Sequence, residues 1–336
     1  MMESNWNEQK EYLATMPKIE LHCHLDGSLG IELTQKLLAQ RGEEWSKEKL
    51  TYALQAPMDC ESLAEYLKRF DLPNRVLQTP AELQAAAFDV AEQAARERVL
   101  YIEVRFAPLF STAEGMKIGD ILEAVQAGLD AAKYTYGIAS GILVCGMRGV
   151  SMDKNLKMLR EAREFFGKGV VGCDLAGDEK AYPAADFEEY FTLAKTLGLP
   201  FTIHAGECQS VKNIRDSIDF GAKRIGHGIA MAADAELRKL CANRRIGVEL
   251  CPTSNLQTKA LTNFSEYPFE AFYQAGIPLS INTDNRSVSN TTCTQEYLRL
   301  AQRFSLTEEM CRRIYVDSIE TSFAPDEIKH RLLLKQ

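Results

Sequence analysis

Residues 18–25 read KIELHCHL, a short apolar run that ends in two histidines two positions apart. Seven later runs share this character, being short, rich in apolar or β-branched residues and followed by polar residues or glycine. They occupy residues 99–108, 140–147, 170–177, 200–207, 224–229, 246–255 and 277–285. Runs of this length and composition are typical of strands buried in a parallel sheet. The sequence therefore predicts eight parallel strands.

Segments with helical periodicity separate the runs, as at residues 186–198, 234–244 and 269–276. Gly198 and Gly276 stand just before the next strand, where glycine commonly ends a helix. Eight alternations of strand and helix favour a (β/α)8 TIM barrel, in the α/β class, over an open doubly wound sheet. A doubly wound sheet would normally carry a glycine-rich phosphate loop after its first strand, and none is present. We expect one domain over residues 1–336, since barrels of this size run as single domains.

Two segments exceed the simple alternation. Residues 28–98, between the first two strands, are far longer than one helix, and a second helical extension runs from about residue 294 to the end. Within the first segment, residues 61–72 place four apolar side chains on one helical face. These are Leu63, Tyr66, Leu67 and Phe70. Two interpretations stay open here, a helix packed on the barrel wall and a lid over the barrel mouth.

Composition restricts the class of partner and compartment. The chain has 336 residues and a net charge of −8, which argues against a basic surface for nucleic acid or an anionic membrane. Nine scattered cysteines without a C-x-x-C pair fit a reducing cytosol better than a disulfide framework. The polar start MMESNWNEQKEY has no apolar core of a signal peptide, and no run reaches the length of a membrane span. We expect a cytoplasmic protein, and its oligomeric state is not readable from the sequence.

Four of the five histidines fall at the ends of proposed strands. They are His22 and His24 at the end of the first strand, His204 at the end of the fifth and His227 at the end of the sixth, and Asp284 ends the eighth. Barrel chemistry collects at the carboxyl ends of the strands. A spacing of two places His22 and His24 on the same side of a strand, where both can reach one ion. Imidazoles with a carboxylate suit zinc or a similar first-row ion, with one position left for water.

Two further residues have both a chemical and a structural interpretation, and a third has a structural one. Glu207 follows His204 by three positions, and its carboxyl could give a proton to a substrate near an activated water. Gly177, in DLAGDE, would allow backbone to approach a flat ligand. A solvated loop glutamate and an ordinary turn glycine are the structural interpretations of these two positions. Arg105, on the second strand, is interpreted as a structural ion-pair residue inside the barrel.

Six motifs in order then resemble one family. PKIELHCHLDGSL, DLAGDE, HAGE, RIGHGI, ELCPTSN and SINTDN together look like the adenosine deaminase family, and SLAEYLKRFD is similar to its lid segment. The resemblance covers about residues 15–320, and six motifs in order are far more specific than any one. It implies a (β/α)8 barrel with one zinc ion per chain and hydrolytic deamination of adenosine and 2′-deoxyadenosine in purine salvage.

The resemblance also implies roles for the residues that match. The zinc ligands would be His22, His24, His204 and Asp284. Glu207 would protonate purine N1, while His227 and Asp284 would orient the hydroxide that attacks C6. The substrate contacts implied are His24, Asp26 at the ribose 5′-hydroxyl, the Gly177 N–H at purine N3, Asn285, and the apolar wall of Leu63, Tyr66, Leu67 and Phe70. Closure of that wall would exclude water and strengthen the polar contacts inside.

One position departs from the family pattern. The familiar Asp-Asp is here Asp284-Asn285. The second Asp normally meets purine N7, an acceptor, and must carry a proton to donate to it, whereas the Asn285 amide donates without one. We predict that purine binding survives, with altered selectivity or pH dependence. Arg286 has no assigned contact, and it could reach either a phosphate or another residue of the chain.

The substrate and the reaction class are not fixed by these motifs alone. The substrate could be another aminated purine, namely adenine, N6-methyl-AMP or aminodeoxyfutalosine. The adenine branch typically has Glu where this chain has Asp26, and a nucleotide would require extra cations near the ribose 5′ end. Two-metal hydrolases also begin with H-x-H, but they generally use a modified lysine after the fourth strand, where this chain reads CDLAG. A barrel that binds a partner without catalysis is the remaining class.

Overall fold

A computed structural model describes residues 2–335, with side chains from residue 6 onward. Its strands are β1 Lys18–His24, β2 Val99–Phe106, β3 Ala139–Met147, β4 Val170–Ala176, β5 Thr202–Ala205, β6 Arg224–His227, β7 Gly247–Leu250 and β8 Leu279–Ile281. All adjacent pairs are parallel, in the orders β1-β2-β3-β4 and β5-β6-β7-β8. Parallel bridges Cys173–Phe201 and Cys23–Asp284 join the two halves. The predicted eight-stranded barrel is confirmed.

Helices occupy the connections between the strands. They are α1 Met2–Thr15, α2 Ile31–Gln40, α3 Lys47–Leu54, α4 Leu63–Leu67, α5 Asp71–Val76, α6 Pro80–Arg96, α7 Ile118–Tyr136, α8 Met152–Arg163, α9 Glu188–Thr196, α10 Val211–Phe220, α11 Ala235–Asn243, α12 Pro252–Gln257, α13 Phe269–Gln274, α14 Cys293–Phe304, α15 Glu308–Thr321 and α16 Asp326–Leu333. The three predicted helices at 186–198, 234–244 and 269–276 correspond to α9, α11 and α13. The two expected extensions are also confirmed, as α2–α6 after β1 and α14–α16 after β8.

Local sequence explains where individual helices begin. At α6, Thr79 accepts a hydrogen bond from the Glu82 N–H, Glu82 reaches back to the Thr79 N–H, and Pro80 occupies the first helical position. This capping box satisfies backbone donors that a helix start leaves free. Within α6, Leu83, Val90 and further small apolar residues are buried and pack toward the barrel. The same signals could be read from the sequence.

Some predicted strands extend beyond the observed ones. The run at residues 246–255 forms a strand only over Gly247–Leu250, and Pro252 begins helix α12. The run at residues 277–285 pairs regularly only over Leu279–Ile281. Apolar composition reports burial, and the residues beyond each short strand are also buried. Burial therefore continues past the point where the ladder of strand hydrogen bonds ends.

The interior of the barrel carries paired charges below its mouth. Arg105 is fully buried and donates to Asp174 Oδ2 at 2.8 Å and to Glu249 Oε2 at 2.9 Å. Arg224, also fully buried, bonds Glu249 Oε1 at 2.6 Å and pairs with Glu103. Buried charges are tolerated when they are paired in this way. The interpretation of Arg105 as a structural ion-pair residue is confirmed.

Two further observations concern the helices and the cysteines. No helix within residues 2–335 combines the length and the apolarity needed to cross a membrane. All nine cysteines are free thiols, and eight of them are buried.

Candidate active site

The five predicted chemical residues at the strand ends meet inside the barrel mouth. Donor atoms of His22, His204, His227 and Asp284 all lie within 4.8 Å of one another, and all four side chains are buried. His24 adjoins the same point, since its Nε2 lies 3.2 Å from His204 Nε2 and 3.4 Å from Asp284 Oδ1. Residues from both ends of the chain thus form one cluster.

Two cluster residues have an unusual backbone. His227 and Asp284 adopt positive φ angles of 65° and 59° at the ends of β6 and β8. A side chain with a Cβ atom is disfavoured in this left-handed region, and such strain is concentrated at functional sites. The conformation occurs at the last residue of β6 for His227 and three residues after β8 for Asp284, where both side chains face the mouth. The sequence carries no local signal for it.

Buried partners hold the outer edges of the cluster. His22 Nδ1 bonds Glu249 Oε2 at 2.8 Å, and His204 Nδ1 lies 2.9 Å from Asp174 Oδ2. Both carboxylates are those held by Arg105. Carboxylates behind imidazoles fix ring orientation and leave the opposite nitrogen free, as is usual for histidines that bind metals. Sequence reasoning missed Asp174 and Glu249, although they begin the motifs DLAGDE and ELCPTSN.

Two further contacts complete this support. Ser254 Oγ donates to Asp284 Oδ2 at 2.6 Å, and Asn255 Nδ2 lies 3.0 Å from His227 Nδ1. An amide NH2 can only donate, so His227 Nδ1 accepts and the proton of the neutral ring sits on Nε2. Both residues belong to the motif ELCPTSN, in which sequence reasoning assigned no individual role. Asn255 therefore makes His227 a donor toward the mouth.

The donor set fits a divalent first-row metal ion. His22 Nε2 is buried, lies 3.1 Å from Asp284 Oδ1 and makes no hydrogen bond within the described chain. The Nε2 atoms of His24 and His204 face each other at 3.2 Å. One proton shared between these two nitrogens would still leave the nearby His22 Nε2 without a partner. A cation between imidazole nitrogens and a carboxylate oxygen would satisfy all of them. The protein therefore has a candidate metal centre.

Burial and neighbouring charges set the protonation of the cluster. Burial lowers the pKa of His24 well below its usual value, which keeps this imidazole neutral and able to bind a metal. Burial opposes the ionisation of Asp284, but His22, His24 and His227 hold the pKa of this carboxyl well below its ordinary value. Burial raises the pKa of Asp26, at the edge of the mouth, to about 6.

Glu207 stands beside the cluster on a loop of its own. Its side chain is buried, and its Oε2 lies 3.7 Å from His227 Nε2. The loop is held by Glu179, whose carboxylate accepts backbone N–H bonds from Gly206 at 2.6 Å, Glu207 at 2.9 Å and Cys208 at 3.1 Å. Glu179 is the last residue of DLAGDE, and sequence reasoning missed it. These three hydrogen bonds hold Glu207 in position.

A cavity of about 300 Å³ opens directly over the cluster. Its wall includes every predicted substrate-contacting residue, namely His24, Asp26, Gly177, Asn285, Leu63, Tyr66, Leu67 and Phe70. Gly177 has a φ of 103°, a conformation open to glycine, and a Cβ there would lie 3.1 Å from Arg148 Cβ. Helix α4 and the turn after it cover the mouth, which favours the lid interpretation over a helix merely packed on the barrel wall.

The structure separates Arg286 from this cavity. Arg286 is buried and pairs with Glu97 at 2.5 Å and with Glu20. The suggestion that it could reach a phosphate is wrong, because both ends of its guanidinium are held by carboxylates. Arg148 does line the cavity, but it donates to the backbone carbonyls of Tyr182, Leu175 and His204 at 2.8–3.0 Å.

Known proteins share both the sequence and the fold. A sequence model described as adenosine deaminase matches residues 17–335. An adenosine deaminase of Enterococcus faecalis is 42% identical over 318 residues, which are 94% of each chain. The apo N6-methyl-AMP deaminase of Arabidopsis thaliana is 29% identical, with a TM-score of 0.84 over 97% of both chains.

An amidohydrolase of Burkholderia ambifaria, solved with bound Zn, has a TM-score of 0.88 over 97% of this chain and 90% of that one. At 21% identity this likeness shows the fold alone. The family match, by contrast, spans nearly the whole chain and includes the strand ends that build the cluster. Together with about 40% identity to curated relatives, it establishes that the chain belongs to the adenosine deaminase family.

Proposed function

We propose that this protein removes the C6 amino group of adenosine and 2′-deoxyadenosine by hydrolysis, releasing inosine or 2′-deoxyinosine and ammonia, as a cytoplasmic step of purine salvage. The observation that carries the proposal is that Glu207 Oε2 lies 3.7 Å from His227 Nε2, and that both side chains line the cavity over the histidine and aspartate cluster. Family membership and the names of the relatives support the same reaction. The chain would act as one domain.

We assign zinc as the ion, held by His22, His24, His204 and Asp284. The outward contacts support this choice of ligands, because the carboxylates behind His22 and His204 leave Nε2 of each ring free. His227 also lies within reach, but its Nε2 carries the proton of the neutral ring. When bound, the ion lowers the pKa of a water molecule to about 7 and so supplies a nucleophile at neutral pH.

Two side chains that line the cavity would act directly on the substrate and the attacking oxygen. His227 Nε2–H would donate to the oxygen that attacks C6 and stabilise the charge there. Glu207 would give its proton to purine N1, which removes electron density from C6 and makes it electrophilic. The new C6–O bond forms as N1 is protonated. The hydroxyl now on C6 gives up its proton and the amino group takes one up, so the C6–N bond breaks, ammonia leaves and the ring becomes a 6-oxopurine.

Charge in the cavity favours a nucleoside over a nucleotide. Five acids line it, namely Asp26, Asp71, Asp178, Glu207 and Asp284. Arg148 is the one Lys or Arg among the described lining residues, and its donors already bind backbone carbonyls. A 5′-phosphate would therefore meet carboxylates without a free cation. This argues against N6-methyl-AMP as the substrate, although a solved relative acts on it.

Adenine, a two-metal reaction and a non-catalytic barrel fit the site less well than a nucleoside deaminase does. Asp26 at the cavity edge suits a ribose hydroxyl, which free adenine lacks. The fourth strand ends at Ala176 without a lysine, so the usual bridge of a two-metal hydrolase is missing. A non-catalytic barrel would not need the buried acid Glu207 beside His227 in a ligand-sized cavity.

Parallel assays on adenosine, 2′-deoxyadenosine, adenine and adenosine monophosphate would test the proposal, following both ultraviolet absorbance and ammonia. We expect high kcat/KM for the two nucleosides alone. Glu207→Gln should retain metal and bind inosine while kcat falls about 100-fold or more. Glu123→Gln, an exposed position on α7, is the matched control and should change nothing. Turnover of adenine or the nucleotide alone would overturn the proposed substrate.

A further inference from the structure

The lid carries one polar anchor that the proposed reaction leaves unexplained. Tyr66, on α4, lines the cavity with its ring and is only 2% exposed. Its hydroxyl lies 2.7 Å from Ser289 Oγ and accepts a hydrogen bond from Asn285 Nδ2 at 2.9 Å. Asn285 and Ser289 both belong to the segment after β8. An apolar lid would need none of these bonds.

The backbone fits the Asn285 side chain closely. The amide lies across Gly27, where an added Cβ would stand 1.7 Å from Asn285 Oδ1. The Gly27 carbonyl accepts the N–H groups of Ser287 at 3.1 Å and Val288 at 3.0 Å, which ties the two loops together. Glycine at position 27 therefore makes room for this amide.

The two ends of the amide differ in their environment. Nδ2 is tied to Tyr66, whereas Oδ1 is buried and makes no hydrogen bond within residues 6–335. The NH2 group has two hydrogens, so the bond to Tyr66 leaves one more N–H available. If the amide turned over, its oxygen would replace that donor. While the Tyr66 oxygen accepts from Nδ2, as it does here, the amide presents a donor rather than an acceptor to the cavity.

We propose that Tyr66 is a positioning residue that fixes the orientation of the Asn285 amide and thereby couples closure of α4 to recognition of purine N7. The proposal rests on the proposed function, because it assigns Asn285 to N7. The phenol oxygen accepts from Nδ2, and its proton goes to Ser289 Oγ. The amide then offers its remaining N–H to N7, which is an acceptor. When the lid is open, the hydroxyl is withdrawn and the amide is free to turn.

The probe for this role is 7-deazaadenosine, in which a C–H group replaces N7. The wild-type protein should prefer adenosine over this analogue in kcat/KM. Tyr66→Phe keeps the ring but removes the anchor, so the preference should fall about five- to ten-fold, as expected for one hydrogen bond. The loss should appear in adenosine KM more than in kcat. Ser289→Ala removes the far partner and should shift the preference in the same direction by less.

Tyr52→Phe is the matched control, because Tyr52 lies near the lid and is 78% exposed. It should leave the preference unchanged. Amide hydrogen exchange across residues 63–70 is a second readout, and Tyr66→Phe should accelerate it. A double substitution with Asn285→Asp should show strong non-additivity, since both changes act on one bond.

The outcomes separate the two proposals. If the wild type deaminates adenosine but Tyr66→Phe leaves the N7 preference within two-fold, the positioning role is wrong and the reaction stands. If the wild type does not deaminate adenosine, the reaction and the N7 assignment fall together. In that case faster exchange in Tyr66→Phe would still support the anchoring of α4, and unchanged exchange would remove that as well.

Discussion

Replacing Arg105 with methionine would test how far the metal centre depends on charges deeper in the barrel. One guanidinium bridges Asp174 and Glu249, and these two carboxylates stand behind His204 and His22. Glu249 keeps Arg224 at 2.6 Å after the substitution. Asp174 has no second Arg or Lys partner within the described chain. The variant therefore leaves the buried Asp174 carboxylate without an arginine or lysine partner.

The size of the effect follows from that geometry. Removing one partner of a buried ion pair costs about 3–5 kcal/mol, a large part of the roughly 5–15 kcal/mol that stabilises a typical protein. A loss of this size should lower the melting temperature of the metal-free protein by on the order of 10 °C. Because Asp174 and Glu249 also orient the ligands, metal affinity should fall about 10- to 100-fold.

Thermal unfolding of the metal-free protein and competition for zinc with a chelator measure the two effects separately. Arg105→Lys should recover only part of each, since one ammonium cannot reach both carboxylates as a planar guanidinium does. Arg215→Met is the surface control, because Arg215 pairs with Asp234 with 46% of its side chain exposed. It should cost at most about 1 kcal/mol. If Arg105→Met unfolds like this control and binds zinc within three-fold of the wild type, the metal centre does not depend on Arg105.

Three further predictions concern other parts of the molecule. Glu179→Gln should lower the free energy of unfolding by about 1.5–3 kcal/mol, because an amide cannot accept every N–H bond of the 206–208 loop. It should also lower kcat with metal content unchanged. Denaturant unfolding and steady-state kinetics measure the two effects. Gly27→Ala should displace the Asn285 side chain and raise KM for adenosine. It is measured beside Gly42→Ala, which adds a Cβ where no atom lies within 4 Å, at a φ of 78°. Burial raises the pKa of Glu296 to about 6. The folded state therefore binds more protons than the unfolded state between about pH 4.5 and 6. As pH rises through that window, the free energy of unfolding should fall by about 2 kcal/mol. Glu296→Gln should remove this dependence of stability on pH. If urea unfolding, repeated across the pH window, gives the same pH dependence for both proteins, Glu296 is not its source.

The sequence revealed those features that are written locally in the chain. Each strand leaves its own apolar run and each helix its own periodicity, so the barrel and its two extensions could be predicted. The chemical residues stood out because four histidines fell at strand ends. Strand ends were less certain, as at 246–255, where the strand stops at Leu250 and a helix begins at Pro252. The apolar face of the lid helix could be predicted from its spacing. Only the packing of the folded chain shows that the helix covers the barrel mouth and does not merely lie on the barrel wall.

The residues behind the cluster were missed for a different reason. Glu249 on β7 supports His22 on β1, 227 positions away, and no spacing rule connects them. Asn255, on helix α12, fixes the tautomer of His227 at the end of β6. Hydrogen-bond direction, amide orientation and positive φ angles are set by the closed barrel as a whole. They cannot be assigned before the strands are placed around it.

A usable signal was nevertheless present in the strands. Arg105 was interpreted correctly because a charge inside an apolar run must find a partner when it is buried. The same argument applies to the four acids that lie before the ends of the predicted strands, namely Glu20, Glu103, Asp174 and Glu249. All four are buried, and three of them bond Arg105 or Arg224, while Glu20 pairs with Arg286. Charges in buried strands should therefore be read as a set. In this barrel, that set supports the histidines, because one oxygen of Asp174 contacts both Arg105 and His204. One oxygen of Glu249 likewise contacts both Arg105 and His22.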